Sequence, residues 1–199
     1  DLPLGYKTDR VFPLAPCPVR PESHEPALLP KTISIFYSGR PRPGCQADRE
    51  EAAALMRQFP KALILEHPSR SGFMPLSEYW QNLSKSEFAL SPSGKVWDSF
   101  RHCEAGLTPK TALIAPKPYL ETVGPPLQDG VNAVLYDTEF RDGKYHLKNS
   151  DVLAEKIRYY LVHPEKRERM ADRWAEDVKS GHTVYARSKY IIESIEKSF

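Results

Sequence analysis

The chain has 199 residues, 40% of them apolar and 27% charged, with a formal net charge of +2. That length suffices for one substantial domain, which would bury roughly 70% of its unfolded surface. The small net charge, with Lys and Arg dispersed among acids, excludes a nucleic-acid surface, and no apolar run approaches the ~20 residues of a membrane span.

Residues 1–30 hold Pro3, Pro13, Pro16, Pro18, Pro21, Pro26 and Pro30 with little apolar periodicity. They read as a linker or an extension lying along a surface, with a disordered tail as the alternative. The chain begins with Asp1 and no signal peptide, which reads as a processed or excised chain. Cys17, Cys45 and Cys103 are odd in number and widely spaced. They make no metal cluster, so free thiols, a reducing compartment and a cytoplasmic location are expected.

From Lys31 short apolar runs alternate with amphipathic stretches. Strands are expected at Thr32–Tyr37, Ala62–Leu65, Phe88–Leu90, Thr111–Ile114 and Ala133–Tyr136. Helices are expected at Ala47–Phe59, around Ser77–Ser84 and at Trp97–Leu107. This alternation predicts an α/β fold, a Rossmann-like parallel sheet of about five strands with helices on both faces. The last third is helical. Leu153, Ile157, Tyr160 and Leu161 share one face, and Met170, Trp174 and Val178 mark a second helix after His163-Pro164. A last helix from about Thr183 to Lys197 carries Tyr185, Ile191, Ile192 and Ile195 as its apolar side. The expected divisions are 1–30, a binding domain over 31–181, and a terminal helix over 182–199.

Ligands of parallel sheets collect at the carboxyl ends of the strands, here the loops beginning at Ser38, His67, Ser91, Ala115 and Asp137. The richest of these runs from Phe88 to Gly106. Ser91, Ser93, Gly94 and Lys95 form a loop of small residues through which backbone N–H groups can approach phosphate, with a lysine charge beside them. The pattern is not a P-loop, and an ordinary turn is the alternative. Ser99 can meet the same anion or cap the helix. Arg101 can hold phosphate oxygens bidentately or pair with Asp98 or Glu104. Glu104 can accept sugar hydroxyls or form an i, i+3 ion pair with Arg101. Ser38 and Gly39 stand at the end of the first strand, where they can line the cleft. Arg40 and Arg42 form a basic loop beside them, and His67, Lys117 and Tyr119 are outlying candidates for the base. Trp97 and Trp174 read as core.

These pieces resemble the carboxyl-terminal, donor-binding half of GT-B glycosyltransferases, most closely the CgeB-type, spore-protein-like branch. Ile33–Gly39 is similar to its first strand and glycine turn, followed by Arg49 in the next helix. Glu78, Tyr79 and Leu83 precede Ser86–Ser91 as in its third strand. Ser99-Phe-Arg-His-Cys-Glu-Ala-Gly106 resembles its Ser-x-Arg-x-x-Glu-Ala helix, and Gly181–Arg187 its His-Thr-Tyr-x-x-Arg segment, with Val184 in the place of the tyrosine. The resemblance implies a nucleoside-diphosphate sugar as donor substrate, no cofactor and no metal, and no Asp-x-Asp motif is present. On this reading Ser38, Gly39, Ser91, Ser93, Gly94, Lys95, Ser99, Arg101 and Glu104 bind the nucleotide sugar.

Many GT-B enzymes carry a second glutamate eight positions before the Glu-Ala pair, where this chain has Val96. The amino-terminal acceptor half of that architecture has no counterpart in these residues. A donor domain alone is expected to bind, not to turn over, and no catalytic residue is assigned. An interaction module that pairs with a separate acceptor-domain protein is the alternative. A response-regulator or nicotinamide-binding domain is disfavoured, since the first strand lacks an acidic cluster and no Gly-x-Gly-x-x-Gly occurs.

Overall fold

The computed structural model describes residues 26–40, 44–67, 74–94, 97, 99–118 and 125–196. Five strands form one parallel sheet: β1 (Ile33–Gly39), β2 (Leu63–Glu66), β3 (Ser86–Leu90), β4 (Ala112–Pro116) and β5 (Val134–Tyr136). Their order is β2-β1-β3-β4-β5, and every pairing is parallel. The chain winds outward from β1 to β2, then returns to place β3, β4 and β5 on the other side. The direction of winding therefore reverses between β1 and β3, which opens a crevice at their carboxyl ends.

Both faces of the sheet are covered, as the short, mostly apolar strands require. Ile35, Tyr37, Phe88, Leu90, Ile114, Val134 and Tyr136 point to one side. There they meet α1 (Asp48–Met56), α4 (Ser150–Val162) and part of α5 (Pro164–Gly181) through Ala52, Met56, Leu153, Ile157 and Met170. The alternate residues Phe36, Ala89, Leu113, Ala115 and Leu135 pack on the other side. Their partners are Leu83 of α2 (Leu76–Ser84), Ala105 of α3 (Phe100–Leu107), and Trp174 and Val178 of α5. Helix α5 thus serves both cores. The last helix, α6 (Val184–Glu196), leaves Tyr185, Ile192 and Ile195 exposed.

The expected Rossmann-like sheet is the observed one, with three differences. Helix α3 starts at Phe100 rather than Trp97, because Ser99 is extended and its hydroxyl accepts from the Arg101 N–H at 3.4 Å. A hairpin not anticipated, β6 (Thr138–Arg141) and β7 (Lys144–Leu147), follows β5. It turns on Asp142 and Gly143, both at positive φ, a two-residue turn of the kind that matches strand twist. Glu51 of α1 accepts from the Leu147 N–H at 2.7 Å and tethers the hairpin to the domain. Lastly, Cys103 is disulfide-bonded while Cys45 is free. That corrects the expectation of three free thiols and removes the ground for a reducing compartment.

Candidate functional site

A cleft of about 300 Å³ opens at the carboxyl ends of the strands, at the β1–β3 reversal. Ser38, next to last in β1, stands on one side, and Ser99, which caps α3, with Phe100, Arg101 and Glu104 of that helix forms another wall. Met74, Leu76 and Tyr79, at the start of α2, complete it. The lining is therefore mixed: a guanidinium, a carboxylate and hydroxyls on one part, thioether, leucine and phenylalanine on the rest. Such a surface fits a ligand with an anionic end and a flat, partly apolar body.

Two side chains one helical turn apart set its chemistry. Arg101 donates from Nη2 to the Ser38 carbonyl at 2.5 Å, and its guanidinium lies over the Tyr37 ring, 5.6 Å from the centroid. Its Nε is buried and has no hydrogen-bond partner among the described residues. Glu104 accepts from the Tyr79 hydroxyl at 2.5 Å. Burial first, and then the Glu104 carboxylate, push the Tyr79 pKa well above the phenol range, so this hydroxyl stays a donor. Among the described residues Arg101 makes no ion pair within 4 Å with any carboxylate, Glu104 included. The i, i+3 ion pair open to the sequence does not form. A cation without a carboxylate partner draws anions, and a carboxylate already accepting from one hydroxyl is of the type that accepts from others.

The loop after β3 supports the cleft from behind. Ser91 and Ser93 are fully buried and do not line it. The Ser91 N–H is spent on the Ile114 carbonyl, and its hydroxyl lies 3.0 Å from Nδ1 of His102. The Ser93 N–H goes to Asp48 at 3.2 Å, its carbonyl accepts from Arg49 Nε at 2.8 Å, and the Gly94 carbonyl accepts from the Gln46 N–H. These groups are occupied by the protein itself, so the loop acts here as a buttress. Lys95, Asp98 and Tyr119, together with Arg42 and Val96, lie outside the described residues.

Of the anticipated residues, Ser38, Ser99, Arg101 and Glu104 come together in the cleft. Gly39 stands beside it for a packing reason: a Cβ there would lie 2.1 Å from the Tyr37 hydroxyl oxygen. His67 is buried, with Nε2 2.9 Å from Ser38 Oγ, and so braces the end of β1. His182 and Arg187 bond to each other at 2.7 Å beneath the 125–127 segment, with His182 Nε2 3.0 Å from the Pro125 carbonyl oxygen. Trp97 and Trp174 are core residues. Sequence reasoning did not assign Tyr79, Met74, Leu76 or Phe100 to the site. Tyr79 enters the sequence reading only through the segment before β3, and nothing in its spacing announces the bond to Glu104. Among the described residues no group of three His, Cys, Asp or Glu is placed to hold a metal, and no helix is long and apolar enough to cross a membrane.

A search of curated proteins finds no match to this sequence. Among solved structures, the chain is similar to the C-terminal domain of a glycosyl transferase group 1 family protein (LpcC) from Francisella tularensis. The two are 16% identical with a TM-score of 0.53, over 84% of this chain and 96% of that one. The fold is accordingly that of a GT-B carboxyl-terminal domain. A family model described as glycosyl transferase-like matches residues 66–193, well over half the chain and including α2, α3 and the cleft residues they carry. The chain belongs to the glycosyl transferase-like family.

Proposed function

We propose that this chain is the donor-binding domain of a glycosyltransferase, that the cleft between β1 and α3 takes a nucleoside-diphosphate sugar, and that the enzyme is of the CgeB type. The observation that carries the reading is the separation of Arg101 from Glu104. Each is bonded to a different neighbour, so both present to the cleft the chemistry a nucleotide needs. Arg101 faces the diphosphate together with the amino end of α3, whose dipole also favours an anion. Glu104 accepts from the ribose hydroxyls, with Tyr79 fixing its carboxylate. Met74, Leu76 and Phe100 offer the apolar wall for a base or ring. In this reading protein cations take the part a metal plays elsewhere. Turnover requires an acceptor-binding partner, and the exposed apolar side of α6 is a surface on which one can dock.

Calorimetry with nucleoside diphosphates tests the assignment. Glu104→Ala and Arg101→Ala should each weaken binding about ten-fold, roughly 1.4 kcal/mol. Unchanged affinity in both variants would remove the cleft from the account.

A further inference from the structure

Beneath the cleft lies a chain of buried contacts that the reading above leaves unused. Arg49, on α1, is buried and reaches two places at once: Nε donates to the Ser93 carbonyl at 2.8 Å, and Nη1 donates to the Tyr37 hydroxyl at 3.0 Å. Its neighbour Asp48 is fully buried and accepts from the Ser93 N–H at 3.2 Å and from the Tyr136 hydroxyl at 2.6 Å. Both polar groups of the Ser93 peptide are thus gripped by adjacent residues of one helix. Tyr37 is gripped as well. Its hydroxyl takes the Arg49 bond and fills the space where residue 39 would carry a Cβ, while its ring carries the Arg101 guanidinium.

Charged groups are expensive to bury, and a pair kept inside a domain must satisfy specific partners to persist. Asp48 and Arg49 occupy the α1 face that packs Ala52, Ala53 and Met56 against the sheet, where apolar residues would serve stability as well. What the polar pair supplies, and an apolar pair does not, is a fixed link from α1 to two parts of the site wall. One link runs to the loop after β3 and the other, through Tyr37, to Arg101.

We infer that Arg49 is a positioning residue of the donor site, holding Tyr37 so that its ring aims the Arg101 guanidinium at the phosphates of the ligand. The inference rests on the donor-site reading given above. Arg49 touches no ligand itself. Its planar fork spans a carbonyl and a phenol in two directions, which a lysine ammonium on a single stem does not reproduce. Tyr37→Phe keeps the ring and removes only the hydroxyl that Arg49 holds. A ring left without that anchor no longer fixes the guanidinium on its face.

The test compares the wild type, Arg49→Lys and Tyr37→Phe by calorimetry. The probes are a nucleoside diphosphate that the wild type binds and the nucleoside of the same base. The Arg101 Nε–H resonance is followed in ligand-free protein and assigned by its loss in Arg101→Lys. The expected result is about a ten-fold loss of diphosphate affinity in both variants, since a misplaced charge-assisted bond is of that order. Nucleoside affinity should be unchanged, and the Nε–H resonance should move as the guanidinium leaves the ring face. A defect in general folding would lower both affinities together, which is why the nucleoside is the control. Equal diphosphate affinity in folded Arg49→Lys and Tyr37→Phe would overturn the positioning role and leave the donor site standing. A wild type that binds no nucleoside diphosphate would overturn the donor site and this inference with it.

Discussion

His102 shows at the scale of one residue how the site is built on a protein interior. It lies in the first turns of α3, directly between Arg101 and the core, with its ring against Trp97 and its carbonyl accepting from Trp174 Nε1 at 2.6 Å. Burial holds its pKa down from 6.5 to about 3, so the ring is neutral at physiological pH. In the unfolded chain it protonates near 6.5, and between the two values the unfolded state binds more protons. Its contribution therefore makes stability fall as the pH drops from about 6.5 toward about 3. Asp48 acts in the opposite sense: burial raises its carboxyl pKa, so its contribution favours the fold at acid pH and is lost as pH rises through the folded value. In His102→Gln the acid limb of a urea-midpoint profile between pH 6 and 4 should flatten, an interval chosen to lie between those two pKa values. A limb of unchanged slope would assign the acid sensitivity elsewhere. Nothing in the sequence distinguishes this histidine from a surface one, because its burial depends on α5 crossing α3. The burial of Asp48 and Arg49 was no more legible, because charged residues in a first helical turn ordinarily face water. The sequence suggests Ala54, Leu55 and Phe59 as the apolar positions of the helix expected at Ala47–Phe59, but Ala54 is exposed and the buried face of α1 is Asp48, Arg49, Ala52, Ala53 and Met56.

Among the elements, the α3–α5 contact decides where the cleft wall stands. At Gly106 the two helices approach so closely that a Cβ would lie 2.5 Å from Val178 Cγ2 and 3.0 Å from the Trp174 ring. Gly106→Ala should therefore cost about 1–3 kcal/mol by overpacking. It should also lower ligand affinity by displacing the helix that carries Arg101 and Glu104. A denaturant midpoint equal to that of the wild type would show that the helices have room to part. The sheet strands were legible because each is short and mostly apolar, as a sheet covered on both faces demands. The start of α3 was not, since Trp97 reads as a helix face and only the extended backbone of Ser99 shows that it is the cap. The hairpin is not legible although Asp142-Gly143 is a recognised turn pair, because its short strands, exposed or half-buried, lack strict apolar alternation.

At the scale of the molecule, the strand order places the site. With β2-β1-β3-β4-β5, the crevice falls between β1 and β3, and Ser38, Ser99, Arg101 and Glu104, all legible as strand-end or helix-start residues, stand at that edge. The sequence could not separate the residues that line the crevice from those that brace it. Ser91 and Ser93 look like ligand contacts in a line of text, yet both are fully buried, and the Ser91 N–H and hydroxyl and the Ser93 N–H are engaged with β4, α3 and α1. Binding of a nucleoside diphosphate in this crevice follows from the proposed function. It is tested most directly by a thermal-shift panel of UDP, GDP, ADP and CMP with several nucleotide sugars, each with and without a divalent metal. A ligand at about a hundred times its Kd should stabilise the fold by ~2.7 kcal/mol, several degrees for a domain of this size. Such a shift is expected for one nucleoside diphosphate and its sugar, reduced to about half in Glu104→Ala, whose ten-fold weaker binding leaves ~1.4 kcal/mol at the same ligand concentration. No shift for any member of the panel would contradict it.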